Sequence, residues 1–204
     1  MLPRERISKP SMPWLLLLMT SVLLTGCSFV PNHNVAVDAI TAFPATAPVG
    51  PGYKLADRDP MVVRDAKQHQ RIFAYVAAAL ETKGVYEALT GAKPDFIVEV
   101  DYGSTRGAGY GGPAGLTPVT ENYLQLSARR PRTDGASGKG EEIWNVRVAV
   151  TEEQIDLMGI MPVLAAVAAD YAGLDTQTEK TIKVSDKAPN VVHVRSVVPT
   201  VTVR

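Results

Sequence analysis

Apolar and polar residues alternate along this chain with two different periods, and the changes of period divide it into elements. Over Val35 to Phe43 the period is two: Val35, Val37 and Ala39 share one side and Ala36 and Asp38 the other, which predicts a first strand. Three prolines and two glycines from Pro44 to Gly52 predict a loop, and Tyr53 to Ala56 a short second strand. The period then lengthens. Val62, Ala66, Phe73, Val76 and Leu80 recur at helical spacing, opposite a polar side of Arg64, Asp65, Lys67, Gln68 and Arg71. This predicts a helix starting at Asp59-Pro60, an N-cap followed by a proline that loses no hydrogen bond there. It runs to Lys83, with Gly84 as its terminator.

Val85 to Ala88 reads as a short strand or turn, and strict alternation returns at Phe96 to Tyr102. Phe96, Val98, Val100 and Tyr102 point to the core; Ile97, Glu99 and Asp101 point away. Gly103 to Pro118 reads as a glycine-aromatic hairpin loop. Tyr123 to Ala128 and Glu142 to Thr151 predict an antiparallel pair joined by the polar stretch Arg129 to Gly140. A second helix follows, with Pro162 in its first turn and its end near Gly173. Met158 to Ala169 carries no charge, so this helix is expected to be deeply buried. Thr181 to Val184 and the β-branched stretch Val191 to Val203 predict tail strands, which Pro189 and Pro199 confine to edges or strand ends.

The N-terminus has a different design. Arg4, Arg6 and Lys9 precede an apolar stretch from Trp14 to Leu24, and a small-residue site follows, which is the layout of a secretory signal. The stretch is too short to span a bilayer, which takes roughly 20 apolar residues. Leu24-Thr25-Gly26-Cys27 contains the one cysteine of the chain and resembles the lipobox of bacterial lipoproteins. That resemblance implies cleavage before Cys27, thioether lipidation of its sulfur and acylation of the new amino terminus. Each buried methylene contributes about 0.8 kcal/mol, so several acyl chains together make a firm membrane anchor. Ser28 after the cysteine, by analogy with enteric-type sorting, implies the outer membrane facing the periplasm. Residues 27–34 then form a lipidated tether, and 35–204 a single domain with an extended C-terminal strand segment.

Lysines and arginines balance the acidic residues over the whole chain, and loss of residues 1–26 leaves the remainder slightly acidic. Nucleic-acid binding calls for clustered basic residues. Arg129, Arg130 and Arg132 are the nearest approach, in a Pro/Gly turn, so no nucleic-acid partner is expected. A lone cysteine makes no disulfide framework. Gly107-Ala108-Gly109-Tyr110-Gly111-Gly112 spells the dinucleotide pattern, but that chemistry needs a helix to open directly afterwards and receive the pyrophosphate. Pro113, Gly115 and Pro118 follow instead, and no cofactor or metal is expected. Glu99 and Asp101 form a carboxylate pair on one strand face, a pattern more common as solubilising charge than as acid-base machinery. His69 falls at the edge of the first helix with no second ligand one turn away. His33, His69 and His193 sit on separate elements, and no Gly-x-Ser-x-Gly occurs. No catalytic residue is assigned.

Ala79-Leu80-Glu81-Thr82-Lys83-Gly84, Pro94-Asp95-Phe96-Ile97-Val98, the glycine loop and Ile143-Trp144 together resemble the bacterial lipoproteins grouped as domain of unknown function 4136. The resemblance covers roughly Val35 to Val184. It implies an α+β domain, a mostly antiparallel sheet with two helices packed on one face, held on an envelope membrane and carrying no agreed catalytic residues. Two classes of function fit: a non-enzymatic binding or scaffolding module, which the pattern favours, and a periplasmic hydrolase or transferase. As a module, the chain would meet an envelope protein or glycan through Gly109 and Tyr110 in the loop and Val192 and Val194 in the tail. A tail strand at a sheet edge would add a partner's strand by β-augmentation.

Overall fold

The computed structural model describes residues 30–42, 50–62, 64–110, 115–132, 139–153 and 155–197. The chain divides into Met1–Val30 and Pro31–Arg204, and every described helix and strand belongs to the second unit. The expected signal segment, Cys27 and the chain after Val197 lie outside the described residues.

The elements, in order, are β1 (Asn32–Thr41), β2 (Gly52–Asp57), α1 (Ala66–Glu81), β3 (Tyr86–Glu87), β4 (Phe96–Tyr110), β5 (Leu116–Arg129), β6 (Glu142–Glu152), α2 (Leu157–Tyr171), β7 (Lys180–Ser185) and α3 (Pro189–Val197). They build an α+β domain on a seven-stranded sheet of order β3-β2-β4-β5-β6-β1-β7. The sheet is mixed. From β4 to β7 the neighbours are antiparallel, but β2 runs parallel to both β3 and β4. The expectation of a mostly antiparallel sheet with two helices is corrected on both counts, since the described residues form three helices. The physical reason lies in α1, which carries the chain from β2 to its neighbour β4. A helical crossover is what joins parallel strands, as a hairpin joins antiparallel ones.

Register explains which side chains are inside. Across one face run Val100, Leu126, Val146 and Ala39, in β4, β5, β6 and β1; across the other run Glu99, Ser127, Asn145 and Ile40. The first face joins the helices in one core. Val163 and Ala165 of α2 sit roughly 200° apart around the helix and are both 0% exposed, so α2 is buried on several sides. It touches β5, β6 and β1 along one flank and α1 and α3 along the other.

Both main helices start elsewhere than at their prolines. The Asp59 carboxylate accepts the Met61 N–H (3.0 Å) and closes a local turn, while α1 begins further along the chain, where Asp65 accepts the Gln68 N–H (2.7 Å). In α2 the Asp156 carboxylate takes the N–H groups of Met158 (3.1 Å) and Gly159 (3.2 Å). Pro162 therefore lies inside the helix, in its second turn. In each case the cap is a carboxylate that reaches free N–H groups, and that bond outranks the proline signal.

The tail is also corrected. Residues expected as a strand from Val191 form α3, in which Val191 and Val194, three apart, are buried against the core, while Val192 is 47% exposed. Gly103 to Tyr110, expected as loop, continue β4. Glycine lowers strand stability because it has no side chain to pack, but here β5 fills the vacancies. A Cβ on Gly103 would stand 3.0 Å from the Tyr123 hydroxyl, and one on Gly109 2.8 Å from Val119 Cγ1.

The cap positions give a direct check. Asp65→Ala should destabilise the fold by about 1 kcal/mol through loss of an N-cap, whereas Asp59→Ala should stay within about 0.5 kcal/mol. Urea unfolding of the two variants distinguishes a helix that starts at Asp65 from one that starts at Asp59.

Candidate functional site

The crossover of α1 brings three chemically distinct groups to the corner where β2 ends. Asp57 is the last residue of β2, Tyr102 faces the helices from β4, and His69 sits in the first turn of α1. His69 Nδ1 lies 3.1 Å from the Tyr102 hydroxyl, its Nε2 lies 3.5 Å from Asp57 Oδ2, and its ring packs tilted against Phe73 with centroids 4.1 Å apart. The order carboxylate, imidazole, hydroxyl resembles a relay for activating an oxygen nucleophile. The electrostatics oppose that use. Burial, aided by the negative charges of Asp57 and Asp65 and opposed by Arg64, holds the Tyr102 phenol above its ordinary range. It stays protonated at neutral pH and keeps its hydrogen bond with His69 Nδ1. The network thus pins the start of α1 to the sheet.

Arg64 closes the same corner from outside. Its guanidinium lies 4.1 Å over the Tyr102 ring, donates to the Tyr102 carbonyl (2.8 Å) and pairs with Asp101 (2.8 Å). The Tyr102 carbonyl is on the edge of β4 that β2 has already left: the β2 pairing ends at Asp57 opposite Val100, and the Arg58 N–H reaches the Val100 carbonyl (3.1 Å).

That edge is the candidate interface. Val100 and Tyr102 aim their carbonyls away from β5, so by the two-residue repeat Ser104, Arg106, Ala108 and Tyr110 do the same with both backbone groups. Among the described residues no strand pairs with them there. The opposite edge of this two-stranded arm differs. β5 meets β6 only from Thr120 onward, and the stretch before it contains Pro118, which has no N–H to offer.

The other face of the sheet holds an ion-pair network instead of an apolar layer. Arg129 joins Glu99 (3.0 Å) and Glu142 (2.7 Å), Lys139 adds a second contact to Glu99 (2.9 Å), and Ser127, Asn145 and Gln125 extend the chain of hydrogen bonds. Glu99, expected as a solubilising charge, is only 7% exposed and paired. Asp101 pairs separately with Arg64, so the two carboxylates do not act as a pair. Glu99 and Tyr102 lie on opposite faces of β4, and His69, bonded to Tyr102, is on the far side of the sheet from Glu99.

The remaining sequence expectations disperse. Gly109 lies in β4, on the arm. The backbone of Tyr110 ends β4 opposite Leu116, and its side chain lies outside the described residues. Val192 is exposed on α3 and Val194 is core, so the pair does not form a strand edge. His33, expected in the tether, belongs to β1, buried with Nδ1 3.0 Å from Glu152 and Nε2 3.5 Å from Asp186; His193 is exposed on α3. Sequence reasoning missed Arg64, Ser104, Arg106 and Ala108. For the three residues of β4 the signal was the near-equal length of β-compatible sequence on either side of Gly111 to Gly115, which a hairpin requires; for Arg64 the sequence carried none.

No protein-family model matches this sequence, and no curated protein matches it. Among solved structures, a PDZ domain protein from Parabacteroides distasonis aligns over 76% of this chain and 40% of its own, at 13% identity and a TM-score of 0.47. A PelC dodecamer from Paraburkholderia phytofirmans aligns over 69% of this chain and 98% of its own, at 12% identity and a TM-score of 0.43.

Two variants check the site. Arg129→Ala leaves Glu99 with Lys139 as its remaining ion pair and Glu142 with the Ser127 and Asn145 hydrogen bonds, and should cost about 3 kcal/mol, the low end for breaking a mostly buried pair; Lys139→Ala, at the surface, should cost no more than about 1 kcal/mol. Tyr102 also sets an alkaline limit. A phenol whose folded pKa is raised keeps its proton when the unfolded chain has lost it, so stability falls as pH rises above about 10. Tyr102→Phe should lessen that fall in thermal melts, the remainder belonging to Tyr53, whose phenol burial also raises, with a loss of about 1 kcal/mol at pH 7 for the His69 bond.

Proposed function

We propose that the chain is a lipid-anchored lipoprotein of the bacterial envelope, akin to the domain of unknown function 4136 proteins, that acts by contact rather than by catalysis. The observation that carries the contact reading is the edge of β4 from Ser104 to Tyr110, which no strand among the described residues pairs and which is long enough for several backbone hydrogen bonds to an added strand. Native folds usually blunt such edges with proline, charge or cover. The arm does so with Pro118 on one side and leaves Arg106 as the lone charge among the residues facing out on the other. The tail has no part in this reading, because α3 is spent on the core.

The anchor rests on the Leu24-Thr25-Gly26-Cys27 pattern. β1 opens at Asn32, five positions after Cys27, and five extended residues reach at most about 18 Å. A lipid on Cys27 would therefore hold the domain close to the membrane surface, at high local concentration for partners anchored there.

Mass spectrometry of the membrane fraction should find a chain that begins at acylated Cys27, and Cys27→Ser should leave the signal uncleaved. A soluble, processed wild-type chain that starts elsewhere overturns the anchor. For the contact reading, Ala108→Pro deletes an outward N–H that serves no internal bond. It should leave stability within about 0.5 kcal/mol and remove the crosslinks that wild type forms through the arm in intact cells.

A further inference from the structure

We infer that the strand taken up by the β4 edge is the same edge of a second copy, paired antiparallel about a two-fold axis at Gly107. The inference rests on the contact reading above and names the partner. An antiparallel pairing must set outward-facing residues against outward-facing residues, which leaves few registers. A two-fold at Arg106 sets the two guanidiniums directly opposite each other, which is unfavourable. A two-fold at Thr105 needs the Tyr102 carbonyl, already engaged by Arg64 (2.8 Å). A two-fold at Ala108 leaves Ser104 facing past the end of the partner's β4.

With the axis at Gly107, all four outward residues find partners: Ser104 faces Tyr110, and Arg106 faces Ala108. The side-chain sizes are complementary in the same register. Arg106 meets Ala108, Thr105 meets Gly109 and Gly107 meets itself, so in these pairs each larger residue stands opposite a small one. A contact in which one patch meets its own copy closes on itself as a dimer. Pro118 on the other edge of the arm denies the continuation into a filament. The pairing also brings the end of the partner's β4, at Tyr110, toward the segment held at β4 by Arg58 and Arg64. That segment displays Met61 at 86% and Val62 at 48% exposure, apolar surface that a second copy would cover.

Gly107→Cys in the full-length chain, in its native membrane, tests the register. A Cβ there meets only Val119 Cγ2 at 3.9 Å, so the substitution fits the monomer. Residues facing each other without exchanging hydrogen bonds are about 4.5 Å apart between Cα atoms, within the disulfide range of about 4.4–6.8 Å. The expected result is a band of doubled mass on non-reducing gels that reductant collapses. It should be absent from wild type and at least tenfold weaker for Thr105→Cys, whose two copies would stand four residues out of register. Adding Ala108→Pro to Gly107→Cys should weaken it to the same extent. A folded Gly107→Cys chain, checked by circular dichroism, that stays monomeric overturns the self-pairing. If it instead joins only proteins of other mass, the self-pairing fails while the contact reading stands. If it joins nothing and Ala108→Pro leaves the cellular crosslinks unchanged, both fail.

Discussion

A helix with no charge between Met158 and Ala169 has to be enclosed, and the enclosure of α2 decides much of the domain around it. One flank rests on β5, β6 and β1, and the other is closed by α1 and α3. The second cover explains the conformation of the tail. Val191, Val192 and Val194 are β-branched and favour a strand by a few tenths of a kcal/mol each. Burying one valine is worth about 1.5–3 kcal/mol, and helical spacing brings Val191 and Val194 together onto α2 and α1, both at 0% exposure. Strand spacing would set the two on opposite faces. Packing outweighs local preference, and the tail folds as a helix.

The opposite face of the sheet reaches stability by another route. There the described residues supply no second layer, and Glu99 is nonetheless buried beneath the side chains of Arg129 and Lys139. A carboxylate in that position without partners would cost several kcal/mol. Arg129 offsets the cost by bridging Glu99 and Glu142 and by donating to the Gly140 carbonyl (3.2 Å). Gly140 is needed for this approach, since a Cβ there would collide with the Arg130 carbonyl. The polar face is thus specified by the joining segment as much as by the strands.

Period-two alternation made the core faces of β1, β4 and β6 legible, because there a single apolar row meets the helices. The charge-free stretch likewise announced the burial of α2. Parallel pairing of β2 was not legible from either strand alone. It follows from which strand lies beside which, and a short strand such as Tyr53 to Ala56 carries no signal of its neighbour. The start of α1 was misplaced because Asp-Pro and Asp-x-x-Gln both resemble caps, that of α2 because Pro162 outweighed Asp156 as a start signal, and only geometry tells which carboxylate reaches a free N–H. The Asp57, His69 and Tyr102 corner was invisible for a related reason: its members lie on three elements, and α1 must first fold back over the sheet to unite them.

The glycines of β4 bear on how the arm stays ordered. Gly103, Gly107 and Gly109 each lower strand stability by roughly 0.5–1 kcal/mol relative to alanine, and on the hairpin side of Thr120 the described residues make the arm two strands wide. Isolated two-stranded ribbons are marginal in water. Tyr123 and Val119 restore part of the loss by covering Gly103 and Gly109, yet nothing in β5 crowds Gly107, where the nearest side-chain atom to a Cβ is 3.9 Å away. The middle of the arm is therefore the place where the monomer contributes least to its own strand. A third strand laid along that edge would add backbone hydrogen bonds where the side chains add none, so the weakest part of the arm as a monomer is also the part with most to gain from a partner.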